Sequence, residues 1–118
     1  MKYIRTKDKV YSTSELIKCE DKRFTNEWFT KNVVPLIAIN QADTIEELCD
    51  EFVLIDFTEK KKFYIHTNSF EEIKRFKDFL KEYSKKQKYV YEIYGAIWTD
   101  KGLIYVAKMN EKGELELI

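Results

Sequence analysis

Asp50, Glu51 and Asp56 precede Glu59, Lys60 and Lys61, so that acidic residues run into a Glu-x-Lys order. These are the residue types of metal-dependent nucleases, in which carboxylates hold Mg²⁺ and a lysine sits beside the attacked phosphate. The spacing argues against such a centre, because Glu59 and Lys61 fall in an expected hairpin turn, where strand alternation does not hold them on one face. His66 is the single histidine, with Asp56 and Glu59 near it in sequence. It has the chemistry of a general base, but at the end of a strand it reads as a surface or capping residue. Cys19 and Cys49 stand in neither a C-x-x-C pair nor a zinc-ligand spacing, so two reduced thiols are expected, Cys49 in a core. No nucleophile with a supporting base is recognisable, and three glycines leave no phosphate loop. The expectation is therefore a protein without catalysis, cofactor or metal, with a metal-dependent nuclease as the lesser alternative.

The remaining chemistry is that of surface charge. The chain carries 21 basic and 21 acidic residues, unevenly placed. Residues 43–59 hold seven carboxylates and no base, whereas residues 60–88 hold ten bases and four acids. Asp43, Glu46, Glu47, Asp50 and Glu51, on one exposed helix surface, would suit a basic groove on a protein partner. Lys60, Lys61, Lys62, Lys81, Lys85 and Lys88, with Tyr89 following, make the nucleic-acid alternative: a phosphate-binding stripe beside an aromatic ring. Against that stripe, Glu71, Glu72, Asp78 and Glu82 interleave with the helix bases, and lysines collect at helix C-termini for reasons of the dipole alone.

The elements that must place these groups follow from periodicity. Tyr3–Thr6 and Val10–Ser12 read as a short hairpin. Residues 13–30 are of mixed polarity, and Pro35 within the apolar run 33–39 predicts an edge strand or irregular segment. Asp43 with Glu46 predicts a capped short acidic helix over 44–50. Strands are expected at 52–57 and 63–67, joined by a polar turn at 58–61. Ser69 and Glu72 form a second capping box, opening a long helix to about Lys86 whose Phe70, Ile73, Phe76, Phe79, Leu80 and Tyr83 make one stripe. From Tyr89 onward, turns at 100–102 and 110–113 divide three strands of a meander, each turn ending in glycine. Its first two strands are apolar on both faces, with Ile93 and Ile97 on one and Val90, Ala96 and Trp98 on the other. One face should meet the long helix; the other needs the N-terminal half, a partner or a second copy to cover it.

The fold class expected is thus α+β: an antiparallel sheet with a C-terminal three-stranded meander, one long helix packed on it and one short acidic helix. With 118 residues, 44% hydrophobic and 15% aromatic, the chain suits one domain over 1–118. Residues 1–6 lack an apolar core for export, and no run approaches the roughly 18 apolar residues of a membrane helix, so a cytoplasmic protein without membrane contact is expected.

The segments at 1–8, 44–52 and 94–103 resemble small proteins of phages and prophages in Gram-positive bacteria, a group from which no activity or catalytic residue carries over. The resemblance implies a context, the bacterial host cell, in which such proteins act by binding a host protein. The function expected is a non-enzymatic, phage-derived protein that binds and modulates a host partner, inhibition included. Asp43, Glu46, Glu47, Asp50, Glu51, Tyr94 and Trp98 are the candidate contact residues, and a homodimer is a further expectation.

Overall fold

The computed structural model describes residues 2–12, 39–58, 62–84 and 90–118, with the side chains of residues 83 and 84 left aside. The expectations for 13–38, the turn at 59–61 and the helix end at 85–86 lie outside these residues.

Two antiparallel sheets and one α-helix make up the described fold. Strands β1 (Tyr3–Arg5) and β2 (Val10–Ser12) form the expected hairpin, and β3 (Asn40–Ala42) pairs on the other side of β1, giving the order β2-β1-β3. The larger sheet has the order β5-β4-β6-β7-β8, with β4 (Glu51–Asp56), β5 (Phe63–Thr67), β6 (Tyr91–Thr99), β7 (Gly102–Met109) and β8 (Leu115–Leu117). The meander is its β6-β7-β8 portion, extended through β4 to an edge at β5. A register shift where Gly95 and Ala96 face β7 bulges the β6–β7 pair.

Helix α1 (Phe70–Ser84) follows β5 after a cap more elaborate than the sequence suggests. Ser69 Oγ accepts the Glu72 N–H at 3.3 Å, as a capping box requires, but the Glu72 carboxylate accepts from the Thr67 hydroxyl at 2.9 Å. Thr67 Oγ1 in turn accepts the Ser69 N–H, so one short polar chain satisfies the entry. Ile73 and Leu80 are the fully buried residues of its stripe, packed over Phe52, Leu54, Ile93 and Ile97. Each such side chain contributes about 1.5–3 kcal/mol of transfer free energy.

The short acidic helix is matched only in part. Glu46–Leu48 make a single 3₁₀ turn, because Cys49 is already extended (ψ 139°) and β4 starts at Glu51. The cap shifts as well: Glu47, not Glu46, closes the turn, accepting the Thr44 hydroxyl and N–H at 2.9 and 3.3 Å. Ile45 and Leu48 are buried on the helix side of the sheet, which pins the turn through packing rather than helix propensity.

The small sheet lies on that same side. Val10 joins the core of Ile93, Ile97, Val106 and Leu115, and Tyr3 packs against it. The described N-terminal strands therefore add to the cover of the face that α1 already occupies.

Candidate functional site

The other face of the large sheet is set by alternation. Val53 and Ile55 on β4, Ala96 on β6, and Phe57, Tyr94, Leu103 and Tyr105 around them form a second apolar cluster. The register puts Tyr64 and His66 of β5 on this face, opposite Ile55 and Val53, and Trp98 opposite Leu103. The small residues at the centre are buried while the rings at the rim are not: Trp98 is 54% exposed and Tyr64 53%. Among the described residues, no strand or helix lies across this face.

The rings are held in place. Tyr94 stacks on Tyr105 with centroids 4.9 Å apart and planes 16° from parallel, a contact worth about 0.5–1.5 kcal/mol beyond its area. The Tyr94 hydroxyl donates to Glu92, and that bond, with some burial, pushes the phenol up to about 12. The same bond holds Glu92 below the usual carboxylate range. Tyr64 stacks at 6.3 Å on His66, whose Nδ1 lies 3.1 Å from Glu51 Oε2. Lys108 reaches Glu92 at 3.5 Å. The face is thus aromatic, with a rim of paired charges.

Trp98 is fixed through its backbone. Asp50 Oδ2 accepts the Trp98 N–H at 2.8 Å, and Asp50 Oδ1 takes Arg5 Nη1 at 2.6 Å, while Arg5 Nη2 donates to the Trp98 carbonyl at 3.3 Å. Burial pushes the Asp50 carboxyl up, but the bonds from Arg5 and Trp98 outweigh it and hold it below 3.8. Arg5 thereby ties the small sheet to the large one at the point where Trp98 stands out.

The expected contact residues divide. Glu51, Tyr94 and Trp98 share the aromatic face or its rim, Asp50 is engaged by Arg5 and Trp98, and Asp43 and Glu46 line a groove on the opposite side with Lys2, Phe70 and Lys74. Glu47 closes its own turn. Asp50 and Asp56 flank β4, separated by about 20 Å of strand, and among the described residues no group of three metal-ligating side chains gathers. Asp56 is buried and accepts the Thr58 N–H at 2.7 Å, opening a turn.

Of the basic stripe, Lys60, Lys61, Lys85, Lys88 and Tyr89 lie outside the described residues. Lys62 sits 5.9 Å from the Phe57 ring, beside β5. Lys81 lies on α1, in a groove of about 610 Å³ with Lys77, Tyr91 and Lys108. Cys49 is a free thiol under the sheet, donating to the Ile45 carbonyl at 3.4 Å, and burial first, then Glu46 and Asp50, push it up to about 12. Tyr64, Leu103 and Tyr105 were not among the expected contact residues; period-two alternation about Tyr94 and Trp98 was the signal that places them.

No family model, curated protein or solved structure matches this chain.

Proposed function

We propose that the protein is a non-enzymatic binding module that engages a protein partner through the second face of its large sheet. The observation that carries this reading is the exposure of Trp98 and Tyr64 on a rigid, ring-packed face that no described element covers. Aromatic anchors on a preorganised surface are the usual centres of binding energy between proteins, and a strand backbone loses little freedom on binding. The paired rim charges suit a partner that is apolar at its centre and polar around it.

The partner is a host protein and the setting the bacterial cytoplasm, as the resemblance to phage proteins implies; modulation of that partner, inhibition included, is the outcome of occupying its surface. The division of the acidic residues between two sides of the sheet favours the aromatic face over the carboxylates as the centre of contact. Lys62 lies beside Phe57 of the second cluster, whereas Lys81 lines a groove with Ile93 and Met109 of the covered face, which favours a protein over a nucleic-acid strand as the ligand. The test is calorimetric titration of a captured and then purified partner. Trp98→Ala is expected to weaken binding by tenfold or more with an unchanged melting temperature, and Lys81→Glu to leave it intact. Equal affinity for Trp98→Ala and the parent would refute the assignment, as would binding only to DNA with a steep salt dependence.

A further inference from the structure

Among the described residues the outer edge of the large sheet is β5, and Phe63, Tyr64, Ile65 and His66 are exposed along it, on both faces. Within the strand there is no charge at neutral histidine, no proline and no bulge, the devices that protect a sheet edge from pairing with another chain.

The direction of its free backbone groups follows from the register. Phe57 N–H donates to the Val90 carbonyl at 2.8 Å, extending the pairing of Asp56 with Tyr91 by one step. Antiparallel strands alternate the side to which successive residues aim their backbone groups. Ile55 and Val53 therefore aim at β6, and Phe52, Leu54 and Asp56 at β5, where Thr67, Ile65 and Phe63 answer them. Tyr64 and His66 are left with N–H and C=O pointing outward.

We propose that this edge pairs with β5 of a second copy of the chain, antiparallel, about a two-fold axis at Ile65. The parity is the one such an axis requires: Tyr64 of each copy stands opposite His66 of the other, and the two outward-pointing residues exchange both backbone bonds. Ile65 meets Ile65 as a non-hydrogen-bonded pair, with side chains in close contact. Over 63–67 this register sets ring against ring on the second face, and on the other Ile65 against Ile65, flanked by Phe63 against Thr67.

The helix side also points to a second copy rather than to a lone extended peptide. Glu72 bonds to Thr67 of β5, and Phe76 and Phe79, four and seven residues further on, share that flank of α1, their rings 6.1 Å apart. Phe79 is 61% exposed and Phe63 52%. A peptide strand would satisfy the edge alone, whereas a second copy brings both a matching strand and a matching helix flank to it. An axis perpendicular to the sheet also places both aromatic faces on one side. The edge shares Tyr64 with the proposed binding face but not Trp98, so variants at Ile65 and at Trp98 tell the failure of one reading from that of the other.

Register-specific crosslinking of the full chain tests it, in a Cys19→Ser background. Cα atoms of a non-hydrogen-bonded pair lie about 4.5 Å apart, within disulfide range, so Ile65→Cys should oxidise to a covalent dimer. Phe63→Cys, about 13 Å from its copy in this register, should not. Sedimentation of the parent is expected to show a dimer, and Ile65→Lys, folded by circular dichroism, a monomer. A parent that stays monomeric at NMR concentrations overturns the proposal. So does equal crosslinking at positions 63 and 65, or a dimer that survives Ile65→Lys and is lost in Trp98→Ala.

Discussion

Asp50 shows how one side chain acts at two levels, since it caps the Trp98 backbone and holds Arg5 of the small sheet. Its carboxyl sits below its ordinary 3.8, so the stabilisation it gives is complete above that pH and is lost as pH falls through the lower folded value. Asp50→Asn is expected to cost about 1–3 kcal/mol at pH 7 and to flatten the acid limb of the stability curve below 3.8; urea melts across pH 2–7 measure both, and an unchanged acid limb would contradict the clamp. Gly95 is the other sensitive position. A Cβ there would lie 2.7 Å from Cys49 Sγ and 3.4 Å from Leu115 Cδ1, so Gly95→Ala should destabilise by about 1–3 kcal/mol. A Cys49→Ala background should relieve part of that cost in a double-mutant cycle; full additivity would show that the sulfur is not the obstacle. The Cys49 thiol, pushed up to about 12 by burial, should also resist alkylation at pH 8 in the Cys19→Ser protein until denaturant is added. Rapid native labelling would show that the site opens. Cys49 in a core was legible from its residue type, but the clamp and the close approach at Gly95 were not: Asp50 and Glu51 read alike in the sequence, and the fold alone distinguishes the carboxylate that holds Arg5 and the Trp98 backbone from the one beside His66.

At the scale of elements, periodicity carried most of the information. The hairpin at 3–12, the strands at 51–56 and 63–67, the helix from 70 and the meander each have an apolar pattern that matches one geometry, and the structure has them within one or two residues. Two elements escaped for identifiable reasons. β3, Asn40–Ala42, is polar and owes its conformation to pairing with β1. The turn at 46–48 has helical residues but only room for one turn before β4 begins. Helix α1 is held by its stripe, so Leu80→Ala is expected to cost about 2–5 kcal/mol. Ser69→Ala, which removes one acceptor of the entry chain, should cost about 1 kcal/mol. Thermal melts of the two variants should keep that order, and a reversal would place the helix's stability in its cap.

For the whole molecule, the useful asymmetry is between the two faces of one sheet. Among the described residues, one face carries α1, the small sheet and the 3₁₀ turn; the other carries rings around a buried apolar centre, with Trp98 and Tyr64 exposed at the rim. The sequence signalled that both faces of the meander are apolar, but not which one the N-terminal strands would cover, because that choice depends on Val10 and Arg5 reaching across the fold. The charge segregation along the chain pointed elsewhere. Once folded, the acidic residues are spread over two sides of the sheet and partly spent on turns and on Arg5. The central assignment, that the open face binds protein, is most directly tested by placing a photo-crosslinking amino acid at Trp98, Tyr64 or, as a control on the exposed back of α1, Arg75, and irradiating the protein in lysate of a Gram-positive host. Adducts of one defined host-protein mass from positions 98 and 64, apart from a self-adduct of the chain at 64, and none from 75, are expected. Adducts from position 75 alone, or adducts only to nucleic acid, would contradict it.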